Sequence, residues 1–201
     1  MLKNIVFDLG GVVVAHNAES FKEKLGEFFS FVFGPDMKCV PSFWCDYDLG
    51  LLTIDETAAE VAKFRNCDAS TAKSYMLQAI ALHEEVVPTV ELIKELKAKG
   101  YKIYVLSNMS KEYIEYLRKL PVFEYFDAQV VSCEIQLGKP NPKIYEYLLS
   151  HCKLSAAETI FIDDRKDNVE VAEQIGIMPF HFDRKNPEKA CDELRKVIYN
   201  N

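Results

Sequence analysis

Four short polar groups in the sequence carry side chains that are able to do chemistry. They are Asp8-Leu9-Gly10-Gly11, Ser107-Asn108, Lys139-Pro140 and Asp163-Asp164. A carboxylate can attack as a nucleophile and so split one difficult displacement into two easier steps. Mg²⁺ prefers a few carboxylates together with water and phosphate oxygens, and hydroxyl, amide and ammonium donors stabilise negative charge. Each group alone is a weak signal, because an aspartate at a strand end is more often a turn or cap residue.

The elements that must position these groups are predicted from apolar runs bounded by turn residues. Such runs cover residues 5–7, 103–106, 129–131, 160–162 and 178–182. Short runs of this kind are typical of strands buried on both faces of a parallel sheet. The segments between them have helical periodicity; Pro88 suits the start of one helix and Gly100 its end. Alternating strands and helices predict an α/β doubly wound fold, in which ligands bind outside the carboxyl ends of the strands.

Residues 16–87 interrupt this alternation. Apolar residues from Phe21 to Val32 fall at helical spacing, and Thr53 with Glu56 can form a capping box at the start of a second helix. A third helix is predicted over about residues 70–82, and no strand is expected in this region. The sequence therefore predicts a helical insertion at residues 16–87, with a catalytic core formed by residues 1–15 and 88–201.

Composition narrows the class of protein. The chain has 201 residues and a net charge of −7, which argues against nucleic-acid binding because that needs clustered lysine and arginine. No stretch approaches the length of a membrane-spanning helix or resembles a signal peptide, so a cytoplasmic location is expected. The oligomeric state does not follow from the sequence. Reduced thiols are expected for the six scattered cysteines: Cys39, Cys45, Cys67, Cys133, Cys152 and Cys191.

The order and surroundings of the four polar groups resemble one known family. They stand in the segments IVFDLGG, YVLSN, LGKPNPKIY and FIDDRKDN, and together they are similar to the four motifs of the haloacid dehalogenase superfamily of hydrolases. The resemblance covers nearly the whole chain. It implies a Rossmann-like core, and it implies that the helical insertion is a cap that closes over the active site.

The resemblance also implies a role for each residue in hydrolysis of a small phosphorylated metabolite. Asp8 would be the nucleophile and would form an aspartyl-phosphate. Mg²⁺ would be held by the carboxylates of Asp8 and Asp164 and by the carbonyl oxygen of Gly10, with Asp163 behind them as a supporting residue.

The phosphoryl group would be held by the other two motifs. Ser107 and Asn108 would donate hydrogen bonds to its oxygens, and Lys139 would screen the negative charge of nucleophile and phosphate.

Gly10 departs from the usual phosphatase pattern of this family. Many members carry an aspartate at this position, where it protonates the leaving group and activates water. General acid–base assistance is typically worth about 10²–10⁴-fold in rate. The glycine implies slower turnover, a bias toward good leaving groups, or a substitute acid from the cap or solvent. The arrangement FDLGG is similar to a subgroup with sugar-phosphate phosphatases, including an α-glucose-1-phosphate phosphatase.

Two features of the insertion bear on the missing acid and on the substrate. His16 is a candidate substitute acid, although a polar residue at the core–cap hinge is the preferred interpretation. The segment WCDYDLGL, residues 44–51, looks like the substrate-facing turn of related caps, with Asp48 and Gly50 near its tip. Trp44 is interpreted as cap core and Gly50 as a turn glycine, and neither is predicted to be a site residue.

Three alternative functions are weighed. A haloacid dehalogenase would need a halide cradle and no metal, whereas the pair Asp163-Asp164 favours a cation. A sugar-phosphate mutase would need an acid/base for the sugar hydroxyl, which Gly10 does not supply. An inactive phosphate-binding regulator is compatible with the fold, but the retained nucleophile and metal carboxylates count against it.

Overall fold

A computed structural model describes residues 1–32 and 40–201. Its strands are β1 (Asn4–Phe7), β2 (Val14–His16), β3 (His83–Glu85), β4 (Lys102–Ser107), β5 (Ala128–Val131), β6 (Thr159–Asp163) and β7 (Met178–His181). Its helices are α1 (Ala18–Lys24), α2 (Ser42–Asp48), α3 (Ile54–Arg65), α4 (Ala69–Ala81), α5 (Val87–Ala98), α6 (Lys111–Leu117), α7 (Ser132–Ile135), α8 (Pro142–His151), α9 (Lys166–Gln174) and α10 (Pro187–Tyr199). Two 3₁₀ turns cover Pro121–Tyr125 and Ala156–Glu158.

The core is a five-stranded parallel sheet in the order β5-β4-β1-β6-β7. β1 lies at its centre, where Phe7 is paired with Val105 on one side and Ile162 on the other. The carboxyl ends of β1, β4 and β6 therefore meet at one edge of the sheet. The predicted α/β fold with a Rossmann-like core is confirmed, and each of the five predicted strands is present.

Both faces of the sheet are covered, which explains the uninterrupted apolar runs. Ile5 and Phe7 point to one hydrophobic cluster together with α5 and α10, whereas Val6 points to a second cluster with α8 and α9. All three side chains are fully buried. Because successive residues of a strand point to opposite faces, a strand covered on both sides carries consecutive apolar residues, as Ile5, Val6 and Phe7 do.

The region after β1 is helical, as expected. The predicted capping box is present at the start of α3, where Thr53 accepts from the backbone N–H of Glu56 and the Glu56 carboxylate accepts from the backbone N–H of Thr53. The predicted third helix corresponds to α4. The first helix is shorter than its pattern predicts, because α1 ends at Lys24 and Gly26 follows its C-cap, where glycine disfavours helix.

The expectation of no strand in residues 16–87 is wrong. β2 and β3 form an antiparallel ribbon in which Val14 is paired with Glu85 and His16 with His83. Each strand has only three residues, too few to show an alternating pattern. The ribbon joins the two ends of the insertion where it leaves and re-enters the core. The division at residues 15/16 and 87/88 stays a prediction.

Two further findings concern the described residues only. None of their helices is long and apolar enough to cross a membrane. The described cysteines, which are Cys45, Cys67, Cys133, Cys152 and Cys191, are all free thiols. Cys39 lies outside the described residues.

Candidate active site

Three carboxylates meet at the carboxyl edge of the sheet. Asp8 directly follows β1, Asp163 ends β6, and Asp164 follows it. One carboxylate oxygen from each lies within 4.8 Å of the others. Asp8 and Asp163 are buried and Asp164 is partly exposed. Parallel pairing of β1 with β6 produces this cluster, since Asp8 donates its backbone N–H to the Ile162 carbonyl one residue before Asp163.

Lys139 is the buried cation of this cluster. Its ammonium nitrogen lies 2.8 Å from Asp8 Oδ1 and 2.6 Å from Asp163 Oδ2, and its side chain is 1% exposed. The side-chain amide of Asn108 holds the backbone of Lys139 by two hydrogen bonds. Asn108 Nδ2 donates to the Lys139 carbonyl at 2.8 Å, and the Lys139 N–H donates to Asn108 Oδ1 at 2.7 Å. The structure thus brings the second and third sequence motifs together on the first.

Asp163 anchors the arrangement from behind. It accepts from Lys139, from the backbone N–H of Arg165 at 2.8 Å, and from Asn168 Nδ2 at 2.9 Å and 3.0 Å. A fully buried carboxylate with this many donors is held in one position. Asn168 was not predicted as a site residue, although it closes the segment FIDDRKDN that carries the aspartates.

Burial, together with the neighbouring charges, shifts the ionisation of Asp8, Asp164 and Lys139. Burial raises the pKa of Asp8 to about 7, with Lys139 opposing the shift and Asp163 and Asp164 adding to it. Burial likewise raises the pKa of Asp164, helped by Asp163 and opposed by Arg184. Burial alone would lower the pKa of Lys139, but Asp163 and Asp8 raise it. The converging carboxylate oxygens of this cluster suit a divalent cation, which takes oxygen ligands of this kind.

Gly11 is the position that lets the first motif approach Asp164. Its φ is +77°, and a Cβ there would lie 2.9 Å from Asp164 Oδ2. Arg184 reaches the same oxygen at 3.1 Å. Arg184 was missed by the sequence reasoning, because it lies after β7 and outside the four motifs.

Ser107 ends β4 with a buried hydroxyl that has no hydrogen-bond partner among the described residues. Tyr113 on α6 also has a buried hydroxyl without a hydrogen-bond partner among the described residues. Buried polar groups are nearly always satisfied, so these two hydroxyls are suited to a bound ligand. Both line a cavity of about 570 Å³ that also contains Asp8 and Lys139.

The cavity lies between the core and the insertion. Its core side carries the predicted site residues Asp8, Gly10, Ser107, Asn108, Lys139 and Asp164. Its other side is formed by residues including His16, Val32, Val40, Trp44, Asp48 and His83. Trp44 is nevertheless 5% exposed and packs edge-on against Phe29 and Tyr47, as expected of cap core. Asp163 is not among the lining residues and lies behind Lys139.

His16 and His83 form a close pair on the ribbon, with ring centroids 3.8 Å apart. Burial and the neighbouring His83 lower the pKa of His16 to about 3. Burial also lowers the pKa of His83. Both rings are therefore neutral at pH 7, and a neutral imidazole is a poor proton donor, which argues against His16 as the substitute acid.

The tip of the segment formed by residues 44–51 is fastened to the core. Tyr47 donates its hydroxyl hydrogen to Glu112 at 2.9 Å, and Ser132 donates its hydroxyl hydrogen to the carbonyl of Asp48. Gly50 has φ +69°, and a Cβ there would lie 2.6 Å from the Cys133 carbonyl. The predicted turn glycine is thus also a point of close approach, and the tip is docked in this structure.

The comparisons with known proteins agree with this geometry. Residues 2–176 match the sequence model of the haloacid dehalogenase-like hydrolases. The chain belongs to that family. The expected resemblance is therefore confirmed, and it rests on a match to most of the chain.

Two proteins similar to this chain over nearly their whole length are named as phosphatases. The chain is 24% identical to a sesquiterpene phosphatase, astK, of Aspergillus oryzae over 98% of this chain and 96% of that protein. It is 23% identical to a D-ribitol-5-phosphate phosphatase of Bacteroides thetaiotaomicron over 96% of this chain and 95% of that one. Its fold is similar to that of a family enzyme of B. thetaiotaomicron, an Asp→Ala mutant crystallised with magnesium and inorganic phosphate. The TM-score is 0.74 at 20% identity, covering 92% of this chain and 95% of that one.

Proposed function

We propose that this protein is a Mg²⁺-dependent phosphatase that hydrolyses a small phosphate monoester through an aspartyl-phosphate on Asp8. The observation that carries the proposal is the arrangement around Asp8. Its carboxylate is paired with Lys139 and shares a cavity with the Ser107 hydroxyl, which has no partner among the described residues. A nucleophile, a charge screen and a donor for a phosphoryl oxygen thus face one space.

The residues present fit a magnesium ion. Asp8 and Asp164 would supply carboxylate ligands and Gly10 its carbonyl oxygen, while Asp163 keeps Lys139 in place. When bound, Mg²⁺ acts as a Lewis acid and offsets the repulsion between an anionic nucleophile and an anionic phosphate. Arg184 shares Asp164 Oδ2 at 3.1 Å and is half-exposed, so it is able to leave that oxygen to the ion.

Residues of this chain position the Asp8 carboxylate and the phosphoryl group. Lys139 and the backbone N–H of Leu9, at 2.8 Å and 2.7 Å, hold Asp8 Oδ1 and so fix the plane of the carboxylate. Ser107 donates its hydroxyl hydrogen to a phosphoryl oxygen. One hydrogen of Asn108 Nδ2 is bonded to the Lys139 carbonyl, and the other is donated to the phosphoryl group. Asp8 attacks phosphorus, the ester oxygen departs, and water then hydrolyses the aspartyl-phosphate.

The family relatives support the reaction class more than the substrate. One relative is named for a sesquiterpene and another for D-ribitol 5-phosphate, so their names do not select one leaving group. Hydrolysis of a sugar phosphate stays a prediction. A screen of phosphorylated metabolites that includes sugar 1-phosphates, sugar 6-phosphates and nucleotides would identify the substrate.

The alternative functions are separated by the same observations. A dehalogenase needs no cation, whereas three carboxylates within 4.8 Å of one another favour one. A mutase needs a proton acceptor beside the sugar, and Gly10 has no side chain. An inactive regulator would bind phosphate without turnover, so only an assay distinguishes it.

The test is hydrolysis of p-nitrophenyl phosphate with Mg²⁺ and then with excess EDTA. We expect turnover that EDTA abolishes and that the isosteric variant Asp8→Asn lacks. Inorganic phosphate should still raise the melting temperature of that variant, because Ser107 and Lys139 remain. Activity that persists in EDTA would refute the metal, and full turnover by the variant would refute the nucleophile. Phosphate binding without hydrolysis of any ester would favour the regulator.

A further inference from the structure

We propose that the Asp48 carboxyl group, carried by the docked tip of the cap, donates the proton that the leaving oxygen of the ester needs. The proposal rests on the proposed phosphatase function. It assigns the proton transfer that Gly10 does not provide to a residue forty positions from Asp8 in the sequence.

Geometry places Asp48 on the wall of the cavity that also contains Asp8, Ser107 and Lys139. It ends α2, lines the cavity that contains Asp8, and is held through its carbonyl oxygen by the Ser132 hydroxyl. That hydroxyl also accepts from the backbone N–H of Met109 at 2.9 Å. Asp48 is therefore linked by two hydrogen bonds to the loop that follows Ser107.

The Asp48 carboxyl has no structural duty that would explain its position. No hydrogen bond or ion pair of this carboxyl is found within residues 1–32 and 40–201. The residue is only partly exposed, and a carboxyl enclosed by protein without a partner is costly in its charged form. Burial alone raises the pKa of Asp48 to about 8, so at pH 7 the group is mostly a protonated acid.

The groups that face Asp48 do not supply a charge that would ionise it. Three of them interact with it electrostatically or lie one turn away, namely Cys45 on its own helix, Tyr113 on α6 and Cys133 on α7. Burial raises the pKa of all three, so each is neutral near pH 7. The charged residue Arg165 lines the same cavity and interacts with Cys45, but it does not contribute to the shift of Asp48. The other candidate donors in the cavity are less suitable. Lys139 is committed to two carboxylates, and the His16–His83 pair is neutral.

In the proposed step, protonation of the ester oxygen accompanies cleavage of its bond to phosphorus. One oxygen of Asp8 forms a bond to phosphorus while the bond from phosphorus to the ester oxygen breaks, and the electron pair of that bond goes to the ester oxygen. The Asp48 proton moves to this oxygen and gives a neutral alcohol and an Asp48 carboxylate. In the second step the carboxylate takes a proton from the attacking water, so that phosphate, Asp8 and protonated Asp48 are regenerated.

The test compares two esters that differ in their need for a proton. The p-nitrophenolate ion is a good leaving group and departs without being protonated. The alkoxide formed from benzyl phosphate is a poor leaving group and needs a proton, and so does the alkoxide formed from the best alkyl phosphate of a metabolite screen. We expect Asp48→Asn to lower kcat for the alkyl ester by about 10²–10⁴-fold and to change kcat for p-nitrophenyl phosphate much less. Wild-type kcat for the alkyl ester should fall as pH rises through 8, and the variant should lack this decrease.

Matched variants separate chemistry from structure. Asp46→Asn makes the same change on the same helix at a residue that does not line the cavity, and it should leave both activities unchanged. Asp48→Glu should restore part of the alkyl-ester activity. Equal loss on both esters, or loss on neither, would overturn the proposal for Asp48. Wild-type protein that hydrolyses no ester would instead overturn the phosphatase function, and the proton donor with it.

Discussion

Replacing Asp48 with asparagine should stabilise the protein while impairing it. Asparagine has nearly the same shape as aspartate but carries no ionisable proton, so the variant removes one titration and leaves the cavity wall intact. Residues placed for function at the expense of stability commonly behave this way. The same substitution therefore tests the environment of Asp48 without relying on any substrate.

The difference in unfolding free energy between the variant and wild type follows from the pKa of the Asp48 carboxyl in the unfolded and in the folded chain. In the unfolded chain the Asp48 pKa has its ordinary value of 3.8, and in the folded protein burial raises it to about 8. Between these values the folded protein keeps a proton that the unfolded chain has released. Relative to the variant, wild type therefore loses about 1.4 kcal/mol of unfolding free energy for each pH unit of increase. The difference reaches about 4 kcal/mol at pH 7, as an upper value, because the side chain is partly exposed to the cavity.

The assay is urea unfolding of both proteins from pH 5 to pH 8 with EDTA present. Chelation keeps Asp8 and Asp164 free of metal in both proteins, so their titrations cancel in the difference. We expect the variant to be more stable near neutral pH and the gap to narrow as pH falls toward 4. A gap that stays flat from pH 5 to pH 8 would show that Asp48 is ionised in the folded protein, which would also remove it as a proton donor.

Three further predictions concern the core side of the cavity. Lys139→Met should abolish turnover and lower the free energy of unfolding at pH 7 by about 3–5 kcal/mol, because it leaves two buried carboxylates without their cation. Hydrolysis of p-nitrophenyl phosphate measures the loss of turnover, and urea unfolding measures the loss of stability. An unchanged free energy of unfolding would contradict the ion pairs. Ser107→Ala should raise KM for phosphate esters without loss of stability, because no internal hydrogen bond is removed, and a stability loss comparable to that of Lys139→Met would refute the assignment. Gly11→Ala should raise the Mg²⁺ concentration needed for half-maximal activity, because a Cβ there meets Asp164 Oδ2 at 2.9 Å; an unchanged Mg²⁺ requirement would show that Asp164 is not a ligand.

Sequence patterns were sufficient for the elements that carry the predicted site residues. The run before Asp8 is apolar at every position because helices cover both faces of the sheet. Parallel pairing then brings distant strand ends to one edge, so Asp8 and Asp163 lie together although they are 155 positions apart in the sequence. The order of strands in the sheet does not follow from such runs, and the structure alone places β1 at its centre.

The parts that were missed depend on contacts that leave no periodic pattern. The β2–β3 ribbon consists of two three-residue strands, and nothing in its sequence alternates. The burial of Asp48 depends on how α2 docks against the loops after β4 and β5. A run of residues such as WCDYDLGL shows a turn but not which of its carboxyls will face a cavity and which will face solvent.

If the proton donor lies on the cap, protonation of the leaving group depends on the position of the cap. An acid at residue 10 would not create this dependence. Asp48 reaches the cavity because Tyr47 bonds Glu112 and Ser132 bonds the Asp48 carbonyl. If the tip left the core, Asp8 would keep Lys139, but the leaving group would lose its acid. Hydrolysis of esters with poor leaving groups would then occur only in the docked state, whereas activated esters would be cleaved in either state. Loosening the tip by Ser132→Ala should therefore lower alkyl-ester turnover more than that of p-nitrophenyl phosphate, the same selectivity expected when Asp48 itself is changed.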